Sequence, residues 1–77
     1  MPPIIIYGPS ATGKTLLAHR IVYANPKMRY IGTFEDNSIR LIQNGPPIIR
    51  NWIVTCISLD HIPEDWKKDV LLILWWF

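Results

Sequence analysis

A chain of 77 residues has room for one small domain and excludes a multidomain enzyme. It is 49% hydrophobic and 18% charged, which excludes a disordered polymer. A net charge of +2, with Lys and Arg spread along the chain, neither demands nor excludes nucleic acid as a partner. A domain of this size buries only about 60% of its unfolded surface. Ordinary domains run to roughly 150 residues, so residues 1–77 are expected to form a single partial domain: a fragment, a truncated product or a unit that needs a partner. The one cysteine, Cys56, allows no internal disulfide and fits a reducing, intracellular compartment, cytoplasm or nucleus. The apolar run Ile4–Tyr7 lacks the basic flank and the length of a signal peptide. Val70–Phe77 falls far short of the ~20 residues that span a bilayer, so no membrane partner is expected.

In chain order, "PIIIY" reads as a buried parallel strand over Pro3–Tyr7, because β-branched residues run straight into a glycine. A Gly-rich loop, Gly8–Gly13, follows. A helix is expected from Lys14 to about Ala24, with Leu16, Leu17, Ile21 and Ala24 at helical spacing. Asn25-Pro26 stops it, since the residue before proline is pushed out of the α region. Met28–Phe34 reads as a short strand and "EDNS" as a polar turn. Ser38–Asn44 reads as a short helix, closed by Gly45 and the break Gly45-Pro46-Pro47. The next strand falls at Trp52–Ser58. Asp65–Lys68 reads as one helical turn, and "DVLLILWWF" as a final buried strand. Strand, loop and helix followed by further apolar runs give an α/β class with a short, mostly parallel sheet.

"GPSATGKT", Gly8–Thr15, fits G-x-x-x-x-G-K-[ST], with an apolar strand entering the loop and an amphipathic helix leaving it. The spacing has a physical reason. Gly8 and Gly13 permit backbone conformations that a Cβ hinders. Successive N–H groups then turn inward as a nest for phosphate oxygens, and the helix N-terminus adds its positive dipole end. The candidate phosphate-binding residues are Gly8, Pro9, Ser10, Ala11, Thr12, Gly13, Lys14 and Thr15.

With those residues in place the chain resembles the P-loop NTPases over about its first 24 residues. The resemblance implies a small, incomplete P-loop-type sandwich that binds ATP with Mg²⁺. Lys14 would reach the β- and γ-phosphates as the catalytic cation, and the Thr15 hydroxyl would ligate the metal. Hydrolysis also needs a Walker B carboxylate at the end of a neighbouring apolar strand. Asp60, which ends the run "VTCISLD", is one candidate for that catalytic and metal-binding role. The other lies at the chain end. "KDVLLILWWF" is similar to the Walker B strand of parvovirus-type replication helicases, of superfamily three, which runs into Trp-Trp-Glu-Glu. "GPSATGKTLLA" resembles their Walker A. Phe77 stands where the first Glu of that pattern falls. "IIRNWIVTCISLDHIPEDW" also looks like their strand and loop with a polar sensor residue, here Ser58 or Thr55.

Three functions follow as expectations. One is an ATP-binding piece of a viral-type replication helicase that hydrolyses poorly alone. Another is a small P-loop kinase using Asp60. The last is a non-enzymatic accessory protein whose apolar C-terminal tail associates with itself or with full-length ATPase subunits. Smaller groupings carry less. Ser58, Asp60 and His61 are too close in sequence to face one another as a triad. Cys56 reads as core, His19 as solvated, and Arg50 as a surface arginine that could act as an arginine finger.

Overall fold

The computed structural model describes residues 2–10, 12–36 and 45–75. Four strands are present: β1 (Ile4–Tyr7), β2 (Arg29–Thr33), β3 (Trp52–Cys56) and β4 (Leu71–Leu74). Helix α1 covers Lys14–Ala24, residues 34–36 open a helical turn, and two short 3-10 turns cover Leu59–His61 and Glu64–Trp66. The expected helix at Ser38–Asn44 lies outside the described residues.

The strands form one sheet in the order β2-β3-β1-β4, with every pairing parallel. The expectation was a mostly parallel sheet, and among the described residues it is wholly so. Ile5 pairs with Val54 on one side and with Leu72 on the other. Parallel strands bury both faces and therefore read as continuous apolar runs. Ile4–Ile6 and Trp52–Cys56 obey that rule and are almost fully buried.

The sheet separates two apolar clusters. On one face Ile5, Val54 and Cys56 pack with Phe34, Trp52, Ile62 and Trp66. Trp66 stands edge-on to Phe34 and to Trp52, at centroid distances of 5.7 and 5.3 Å. On the other face Ile4, Ile6 and Ile53 pack with Ala18 and Met28, and with Leu17, Ile21 and Val22 of α1. The buried face of α1 thus differs from the one expected from spacing. Leu16 is 59% exposed and Ala24 is exposed, whereas Ala18 is fully buried. A small side chain lets the helix axis approach the sheet closely.

The final apolar run departs most from expectation. It forms a strand, but an edge strand: Leu71, Leu72 and Leu74 are 45%, 43% and 55% exposed. Its one described neighbour is β1, so apolar composition produced pairing without enclosure.

Candidate functional site

The parallel sheet brings the C-terminal ends of β1, β2 and β3 to one side, where ligands of open α/β sheets bind. The loop leaves β1 at Gly8, whose N–H donates to Cys56 O at 3.2 Å, tying the loop to the end of β3. Gly13 adopts a left-handed conformation at φ 84° and opens α1. No side chain caps it, so the first-turn N–H groups face outward for an acceptor. Leu17 N–H makes an early helical bond, to Gly13 O at 3.0 Å.

Lys14 is buried at the mouth of the loop, and its ammonium donates to Gly8 O at 2.7 Å and Pro9 O at 2.6 Å. The Thr12 hydroxyl donates to Pro9 O at 2.8 Å. The loop therefore folds around its own cation.

A cavity of about 320 Å³ lies against the loop, lined by Ser10, Thr12, Gly13, Lys14 and Thr15 on one side and by Thr33, Glu35, Asp36, Thr55 and Ile57 on the other. Its volume is near the lower end of small-molecule sites, enough for a phosphate chain. Pro9 is exposed beside it, and Ala11 lies outside the described residues.

The structure does not bring Asp60 to this cavity. Asp60 sits exposed in the turn after β3, and its N–H donates to Ser58 Oγ at 3.2 Å. Ser58, not Asp60, caps this turn, with its hydroxyl oxygen as the acceptor. The acids that line the cavity are Glu35 and Asp36, directly after β2. Sequence reasoning took "EDNS" for a plain turn. The missed signal was an extended apolar segment, "RYIGTF", running into two consecutive acids.

Glu35 is held firmly. Its Oε2 accepts the Ile57 N–H at 3.0 Å and lies 2.6 Å from His61 Nδ1. Burial works to raise the carboxyl pKa, but the hydrogen bonds from His61 and the Ile57 amide outweigh it and hold Glu35 below the usual range. Its other oxygen, Oε1, is buried with no partner. A buried acceptor of this kind is costly unless a donor satisfies it.

The floor beside Thr15 is a hydroxyl cluster. Tyr30 Oη lies 2.9 Å from Thr55 Oγ1 and 3.4 Å from both Thr15 Oγ1 and Thr33 Oγ1, and Thr33 and Thr55 are 3.1 Å apart. Burial works to raise the Tyr30 phenol, yet the three threonine hydroxyls hold it below its ordinary value. His19 is exposed as expected, with its ring edge-on to Tyr30 at 5.3 Å. Arg50 is exposed and donates to Asp69 O at 3.2 Å, a local contact.

Among the described residues no group of three or more His, Cys, Asp or Glu gathers as a metal cage. A nucleotide-borne Mg²⁺ does not need one, because it takes one or two protein oxygens and keeps phosphate and water for the rest. The Thr15 hydroxyl and the consecutive acids Glu35 and Asp36, which line one cavity, are oxygen donors of that kind, and Glu35 Oε1 has no partner. No helix among those residues is long and apolar enough to cross a membrane. Comparison with protein-family models, curated proteins and solved structures finds no match to this chain.

Proposed function

We propose that the chain binds a nucleoside triphosphate, ATP, with Mg²⁺ through the loop Gly8–Thr15. The observation that carries this reading is the facing of Lys14 and Thr15 by Glu35 and Asp36 across one cavity. In this reading the Lys14 ammonium leaves Gly8 O and Pro9 O for the β- and γ-phosphates, and first-turn amides of α1 donate to phosphate oxygens. The metal supplies charge neutralisation on those phosphates. Thr15 would hold it through its hydroxyl, and Glu35 and Asp36 take the carboxylate role that the sequence offered to Asp60. The hydroxyl cluster around Tyr30 orients Thr15.

The helicase-type reading, a viral-type replication ATPase acting in an intracellular compartment, rests on the three sequence resemblances. Hydrolysis by the isolated chain is expected to be slow, because the bonds from His61 and the Ile57 amide to Glu35 Oε2 lower its pKa and make it a weak base. The kinase reading draws no support from the position of Asp60. The accessory reading is favoured by one observation, the exposed leucines of β4.

Calorimetric titration of the whole chain with ATP–Mg²⁺ tests the proposal. Binding by the wild type is expected, with a loss of at least tenfold in Lys14→Ala and a smaller loss in Glu35→Gln. Equal heats for wild type and Lys14→Ala would refute it.

A further inference from the structure

Trp75 follows β4, yet it touches both ends of the loop that follows β1. Its backbone N–H donates to Tyr7 O at 2.8 Å, and its indole Nε1–H donates to Thr12 O at 2.7 Å. Between these two bonds its own carbonyl oxygen lies 1.9 Å from where a Cβ on Gly8 would stand. Gly8 is therefore a glycine because Trp75 passes over it. The Trp75 ring packs against the apolar cluster of Ile4, Ile6, Ala18, Met28 and Ile53, which fixes the indole in place.

A trans peptide points its C=O and the following N–H in opposite directions. Holding Thr12 O toward the indole therefore turns the Gly13 N–H away from Trp75. Trp75 is not among the residues that line the cavity, whereas Thr12, Gly13 and Lys14 are. We infer that Trp75 is a positioning residue for phosphate: its indole N–H fixes the Thr12–Gly13 peptide so that the Gly13 amide faces an incoming phosphate oxygen. The inference rests on the phosphate-binding reading of the loop and adds a requirement from the opposite end of the chain. A free peptide at this position would populate both orientations, and selecting one is preorganisation for the ligand.

Inorganic tripolyphosphate is the probe, titrated into the whole chain without nucleotide or metal. Trp75→Phe keeps the ring packing and removes the N–H donor. The expected result is a loss of about tenfold in tripolyphosphate affinity, the scale of one hydrogen bond, with the urea midpoint close to wild type. In the wild type, the indole N–H resonance identified by its absence from Trp75→Phe should shift on titration, while those of Trp52 and Trp66 stay in place. An affinity for Trp75→Phe within twofold of wild type would overturn the inference and leave the nucleotide reading intact. A stationary Trp75 resonance in a wild type that binds would do the same. Should Trp75→Phe fail to fold, the Trp75 resonance is identified through its contacts with α1 and decides alone. A wild type that does not bind tripolyphosphate would overturn both readings.

Discussion

β3 and β4 are both short apolar runs, "WIVTC" and "LLIL", and both pair in parallel register with β1. Yet β3 is buried along its whole length, while three of the four residues of β4 are about half exposed. Composition does not separate them; position in the sheet does. β3 lies between β2 and β1, with an apolar cluster on each face, whereas β4 is an edge. An uncharged, exposed edge is the kind of strand that other chains pair with.

The contrast is largest in stability. Ile53→Ala removes a fully buried side chain and should cost about 2–5 kcal/mol, a large share of what a domain of this size possesses. Leu72→Ala, on the register partner of Ile5 at the edge, should cost about 1 kcal/mol. Urea unfolding of both variants checks the difference, and equal midpoints would break the comparison.

Thiol chemistry gives the next effect. Cys56 is fully buried, and burial, with the nearby Glu35 charge, pushes its thiol up to about 12. At pH 8 its reaction with an aromatic disulfide reagent should be slower than in urea by a factor on the order of a thousand, because reaction waits for opening. A cysteine introduced by Leu72→Cys should react at nearly the unfolded rate.

The smallest effect concerns acid. Glu35, bound to the amide just past β3, has a folded pKa below its unfolded value. The stability it contributes is therefore present above the unfolded value, about 4.3, and is lost as pH falls through the folded one. Comparing wild type with Glu35→Gln by thermal unfolding between pH 7 and pH 3 should show the gap closing toward acid. A gap that is constant with pH would mean the carboxylate charge has no part in it.

Much of this architecture was legible in the sequence, for definite reasons. β1, the loop and α1 were readable because a β-branched run, two glycines and a proline stop each act locally. β2 and β3 were legible to within a residue or two. Three features were not, and each depends on contacts distant in sequence. The exposure of β4 depends on strand order. The buried face of α1 depends on Ala18 meeting the sheet, and spacing alone favoured the bulkier Leu16. The acids at the cavity are Glu35 and Asp36 rather than Asp60 because α1 reaches across to β2, where Thr15 meets Tyr30, although β3 lies between β2 and β1 in the sheet. Trp75 belongs to the same class: nothing in "LLILWWF" announces a hydrogen bond to Thr12.

The strand order has a consequence for how the chain is made. β1 is synthesised before both of its partners, residues 53–56 and 71–74. This inner strand must therefore wait until β4 has been made before both of its neighbours are present. Folds built on such distant pairings are slow to form. Meanwhile "IIIY" travels as an uncharged β-prone segment, and its protection in the growing chain depends on haste or on a chaperone.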